Sequence, residues 1–240
     1  MALPKIDVPT YEMKVPSSDK IITVRPFSVK EEKLLLIALE SNDQNEVVNT
    51  VKQVVNNCVV RGEFNVDKAP FFDVDYLFIA LRAKSIGEKV AVKLSCNNVL
   101  EDGETCGEVF NAEMDINNCE ILEEDVSNDI KLGGDKGVRM KYPGYGAMKR
   151  IDGGLEIDRK IDMVIQSIDF IYDKDGTYPA RDQTKEDLQE FIEALTEENF
   201  RKLEEFVDNF PTFAVRIEAD CPKCGFHHDV RYTDFADFFL

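Results

Sequence analysis

The chain has 240 residues, 47 acidic against 29 basic side chains and a formal net charge of −18, and 43% of it is hydrophobic, with 16 Phe and no Trp. That is enough apolar material for a core and excludes a broadly disordered chain, while so acidic a surface repels nucleic-acid phosphates unless its cations are gathered locally. The longest apolar runs, at 34–39 and 76–81, are far too short to span a bilayer. The opening MALPKIDVPTYEMK also lacks the basic-then-apolar order of a signal peptide, so the expectation is a soluble intracellular protein with no membrane partner.

Residues 1–19 contain three prolines and no periodicity and read as an extended arm; IITVRPF at 21–27 reads as a strand ended by Pro26. Residues 1–27 thus form an arm and first strand. Ser28 with Glu31 three residues on has the form of a capping box and predicts a helix over about 29–41. Leu34, Leu35, Leu36 and Ile37 wrap apolar surface around much of that helix. It is therefore either deeply buried or covered by another protein, and Leu35 and Leu36 are candidate partner contacts. Val47, Val51, Val54, Val55 and Cys58 fall on one face of a second helix, with Cys58 as a core thiol. DVDYLFIALRAKSIGE at 73–88 predicts a third, stopped at Gly87. Residues 28–87 read as a helical subdomain.

Residues 88–240 read as a β-rich region with helices inserted at 155–210. EKVAVKLSC (88–96) and GEVFNAEMDI (107–116) alternate as strands, and CEILEED, NDIKLGG and GVRMKYPG add shorter ones. GGDKG at 133–137 lacks the Lys-Ser/Thr of a phosphate loop and reads as a hairpin turn. KYPGYGAMKR at 141–150, three cations with two tyrosines, reads as a surface loop, with RNA contact the alternative. Beyond Gly154, an apolar stripe of Ile157, Ile161, Val164, Ile165 and Ile168 predicts a helix, and DKDG at 173–176 a turn too short for a calcium loop. Thr184 with Asp187, and Thr196 in TEEN, open two more helices, the second stopped by Pro211. The fold class is α+β: an N-terminal helical subdomain, a central antiparallel β element with zinc-ribbon-like hairpins, and further helices packed beside it.

Two segments repeat one plan. VKLSC–NNVLEDGET–CGEVFNAEMD and VRIEADC–PK–CGFHHDVRYTD each run strand, cysteine, turn, Cys-Gly, strand. Two such hairpins meeting at their tips would assemble Cys96, Cys106, Cys221 and Cys224 into a tetrathiolate zinc site. Nine residues separate Cys96 from Cys106, where two to four is usual, so NVLEDGE must loop out. His227 or His228 could replace one thiolate, or the metal could have been lost. Four thiolates leave no open position for water, so such a metal is structural. A redox CxxC fits poorly, because a second strand rather than a helix follows. With only two histidines, no serine elbow and no HExxH, no catalytic residues and no enzyme are expected.

VRPFSVKEEKLLLIALES, LFIALRAKSIGE, the cysteine-bearing hairpin, FIEALTEENFRKLEEFVDNFPTF, and CPKCG followed by YTDFADFF resemble, in that order, the baseplate hub assembly proteins of T-even-type contractile-tailed phages. The resemblance runs from about residue 20 to the C-terminus. It implies a protein-binding role in building the central hub, as chaperone or hub subunit, with other baseplate hub proteins as partners. The implied location is the host cytoplasm during assembly, or the virion tail baseplate. A nucleic-acid-binding zinc-ribbon regulator is the alternative, and a metal-dependent hydrolase a third reading. In the closing DFADFFL, one helical turn would bring Phe235, Phe238 and Phe239 to one side. There they would either dock into a hub partner or cap the chain's own core.

Overall fold

The computed structural model of the protein describes residues 7–41, 43–146 and 156–233. Among them six α-helices and twelve strands form an α+β fold in which every strand pairing is antiparallel. The chain divides into two units: the first draws on the chain up to Phe64, on Phe72–Leu122 and on the chain from Thr212, and the second comprises Asn65–Phe71 and Glu123–Pro211.

In the first unit, Pro9 and Pro16 bracket strand β1 (Tyr11–Lys14), which pairs with β2 (Ile21–Val24). The arm read from sequence therefore carries a strand. β3 (Val59–Arg61) joins the other edge of β2. Helix α1 (Val29–Glu40) starts where expected: the N–H and hydroxyl of Ser28 both donate to the Glu31 carboxylate, at 2.7 and 2.9 Å. The same carboxylate takes two bonds from Arg25, at 2.7 and 2.9 Å. Arg25 chiefly, against the opposing effect of burial, holds Glu31 down to about 2. Helix α2 (Gln44–Cys58) is capped by Asp43 and buries Val51, Val54, Val55 and Cys58 of the predicted face completely, with Val47 half-buried. Helix α3 (Phe71–Ser85) buries residues on all sides, among them Leu77, Phe78 and Leu81, and the ring of Phe27 stacks on that of Phe78 at 6.5 Å.

Two further β elements complete this unit. β4 (Lys89–Ser95) and β5 (Val109–Asp115) form a seven-residue hairpin ladder. β6 (Cys119–Leu122) and β12 (His227–Tyr232) flank β11 (Thr212–Asp220). The predicted strands are present, but they fall into separate small sheets.

The second unit is a four-stranded sheet with helices. β7 (Asp129–Gly133) and β8 (Lys136–Met140) are joined by the predicted glycine turn; β9 (Ile168–Tyr172) and β10 (Thr177–Pro179) extend the sheet in the order β10-β9-β8-β7. Helix α4 (Glu156–Ser167), α5 (Lys185–Glu193) and α6 (Glu197–Asp208) bring Val164, Ile165, Leu188, Ile192, Leu203 and Phe206 onto Ile130, Val138 and Met140 of the sheet. Two residues of the expected stripe depart from it: Ile157 is 47% exposed, and Ile168 opens β9 rather than closing the helix. The 141–150 segment is not simply a surface loop either. Tyr145 is buried, its N–H bonds the Ala69 carbonyl, and Gly144 bridges Pro70; residues 147–150 lie outside the described residues.

Candidate metal centre

The cysteine-bearing hairpins of the first unit meet at their tips. The sulfurs of Cys96, Cys106, Cys221 and Cys224 lie within 4.8 Å of one another. The closest cross-hairpin pairs are Cys96–Cys224 at 3.6 Å and Cys106–Cys221 at 3.9 Å. A tetrahedron with metal–sulfur bonds of about 2.3 Å has edges of about 3.8 Å. A disulfide would need about 2.05 Å. The spacing therefore suits four thiolates around one ion, and all four cysteines are free. Cys96, Cys106 and Cys221 are buried, with Leu100 and Phe110 against them; Cys224 is partly exposed.

Both tips are built by the same backbone pattern. At the second, Cys221 N–H donates to the Phe226 carbonyl and Gly225 N–H to the Cys221 carbonyl, each at 2.9 Å. At the first, Cys96 N–H donates to Glu108 at 2.8 Å and Gly107 N–H to Cys96 at 3.0 Å. Gly107 and Gly225 have φ of 62° and 71°, a left-handed conformation that side chains resist. The wide Cys96–Cys106 spacing does not spoil the match, because the intervening residues close on themselves. Val99 bridges Thr105, Leu100 N–H bonds Glu104, and Cys106 N–H returns to the Asn98 carbonyl at 2.8 Å. The extra residues leave the tip as a small hairpin and return to it.

Main-chain amides donate to the sulfurs: Asn98 to Cys96, Glu108 to Cys106 and Phe226 to Cys224. Burial nevertheless pushes the Cys96 thiol up to about 12, whereas the Phe226 amide chiefly brings Cys224 down to about 7. Two side chains cross between tips. Asn98 Nδ2 reaches Cys224 Sγ at 3.7 Å, and Lys223 Nζ reaches the Cys106 carbonyl at 3.0 Å. Sequence reasoning did not single out either residue, since no ligand-spacing rule reports a side chain that touches a ligand.

Neither histidine joins the tetrad. His227 Nδ1 pairs with Asp220 at 2.8 Å, and His228 is buried between the rings of Phe110 and Phe226. The other two cysteines stand apart: Cys58 is a core thiol pushed up to about 12 by burial, and Cys119 sits in β6. Of the other candidate contacts, Leu35 is buried and Leu36 is 48% exposed. Phe235, Phe238 and Phe239 lie outside the described residues. Among the described residues no helix is long and apolar enough to cross a membrane.

Residues 8–240 match a known protein family, described as T4 bacteriophage base plate protein. A search of curated proteins finds no match, and neither does a search of solved structures.

Proposed function

Because the chain belongs to the T4 bacteriophage base plate protein family, we propose that it serves the central hub of the tail baseplate by binding other hub proteins, as an assembly chaperone or a hub subunit, and that it carries a structural zinc ion on Cys96, Cys106, Cys221 and Cys224. The family match over nearly the whole chain carries the first part, and the closed thiol tetrad the second. Four thiolates fill the coordination sphere of zinc and leave no site for a catalytic water. The ion's contribution is to hold the β4–β5 hairpin to the β11–β12 hairpin. This reading makes the protein non-enzymatic. Its net charge of −18 disfavours nucleic acid as a partner, and with it the zinc-ribbon regulator.

A partner surface is available on the first unit. Leu36 and Ile86, about half exposed, share a cleft with Phe27, Leu35 and Phe78, and Ile37 lies exposed beside Leu36 on α1. The expected contact thus centres on Leu36 and Ile37, with Leu35 supporting them from the core. The test is a pull-down of tagged protein from infected cells, paired with elemental analysis of protein purified without added metal. Recovery of baseplate proteins and one zinc per chain is expected. A chain that assembles normal baseplates while metal-free loses the zinc reading; one that binds no baseplate component loses the hub reading.

A further inference from the structure

We infer that Asn98 is the positioning residue of the metal centre, a role that rests on the proposed zinc and explains how a knuckle with nine intervening residues keeps its geometry. Three groups of this one residue serve the tetrad. Its main-chain N–H donates to Cys96 Sγ, its carbonyl holds the Cys106 N–H at 2.8 Å, and its Nδ2 donates to Cys224 Sγ at 3.7 Å. The first two fix the ligands of its own hairpin, and the third reaches across to the other. Asn98 follows Cys96 by two residues, as Lys223 follows Cys221. The two positions are therefore equivalent, and each sends its side chain over the facing tip. The Val99–Thr105 bridge closes immediately beyond Asn98, so the inserted residues leave its place at the tip undisturbed.

The chemistry gives the side-chain amide a purpose. Four thiolates around a divalent ion carry a net charge of about −2, which N–H donors to sulfur disperse. Cys224 is the most exposed of the four sulfur ligands, the one through which water or a competing chelator would reach the ion. The Asn98 amide covers and orients that sulfur. A carboxylate in its place would repel the thiolate and offer an oxygen to the metal.

The experiment compares full-length wild type, Asn98→Ala, Asn98→Asp and, as control, the exposed neighbour Asn97→Ala. Each is loaded with Co(II), followed through its sulfur-to-cobalt charge-transfer band, and zinc release to pyridylazoresorcinol is timed. For Asn98→Ala the expectation is a tenfold to hundredfold loss of Co(II) affinity, a shifted charge-transfer band and faster zinc release, with a larger loss for Asn98→Asp. Asn97→Ala should match wild type. Urea melts of the metal-free forms should superimpose, which separates positioning from scaffolding. Equal affinity and spectrum in Asn98→Ala and wild type would overturn the role of Asn98 and leave the metal centre intact. Equal destabilisation of the metal-free and loaded Asn98→Ala forms would reduce the residue to scaffold. A wild type that takes up no Co(II) with a thiolate band overturns the metal centre, and the role of Asn98 with it.

Discussion

Removing the proposed ion should cost less than the sequence separation of its ligands suggests. Cys106 and Cys221 are 115 residues apart. Clipping a free loop of about 100 residues is worth roughly 4.7 kcal/mol in chain entropy. That loop is not free, because Cys119 already faces Val215 in the β6–β11 ladder. What the metal closes is the short circuit from Cys106 to Cys119 and from Val215 back to Cys221, about 20 residues of chain, for which the same relation gives about 3 kcal/mol. Chelation under reducing conditions should therefore lower unfolding stability by about 3 kcal/mol, or roughly 10 °C in melting temperature. The loss should be local. Hydrogen exchange should accelerate around 96–107 and 221–226, while the amides of β6, of its partner segment in β11, and of α2 stay protected. Chelation that leaves the melt unchanged would refute the reasoning, as would deprotection of α2 together with the knuckles.

Three other outcomes are expected. Glu31→Gln should cost about 2 kcal/mol, because it removes a buried carboxylate that holds both Arg25 and the start of α1. Since Glu31 is held at about 2 against an ordinary 4.5, its contribution is complete above pH about 4.5 and drains away as pH falls toward 2; urea melts of wild type and variant that run parallel from pH 7 to pH 3 would contradict this. Gly225→Ala and Gly107→Ala should each cost about 1 kcal/mol in the loaded protein through their left-handed backbone, with Asn milder than Ala, since a Cβ at Gly225 meets nothing within 4 Å and one at Gly107 only the Thr105 carbonyl at 3.8 Å. Leu35→Ala should lose about 2–5 kcal/mol as a core truncation, whereas Leu36→Glu and Ile37→Glu should stay within about 0.5 kcal/mol of wild type yet fail to complement baseplate assembly; normal complementation by both would move the partner surface elsewhere.

The parts of the fold that were legible in sequence are those fixed by neighbours along the chain. Ser28 with Glu31, Thr184 with Asp187 and Thr196 with Asn199 mark helix starts because the cap and its hydrogen-bond partner lie within one turn. The cysteine-bearing tips were legible because each repeats cysteine, turn, Cys-Gly between alternating strands. Features settled by distant partners were not. Ile168 continues the helical spacing of α4, but its pairing with Met140 of β8 draws it into a strand. Tyr11–Lys14 offers too short a pattern to signal β1 without β2 beside it. Asn98 bears no mark at all in the sequence. Its importance lies in a sulfur 126 residues away.

The interrupted layout of the first unit sets a timetable for its synthesis. The ribosome delivers the first pair of thiols by residue 106 and the second only at 221–224, after the whole segment of the second unit has been made. At about 5–20 residues per second, the earlier pair waits roughly 6–23 s for its counterpart. During that interval two cysteines can bind a metal only weakly or pair with the wrong thiol. The 123–211 segment has the same seconds in which to fold ahead of them. Strands β11 and β12 then act as a latch: β11 supplies β6 with its ladder partner and brings the second knuckle to the first. A chain cut short anywhere before Cys221 would lack half of the cysteine cluster and could not complete the proposed site.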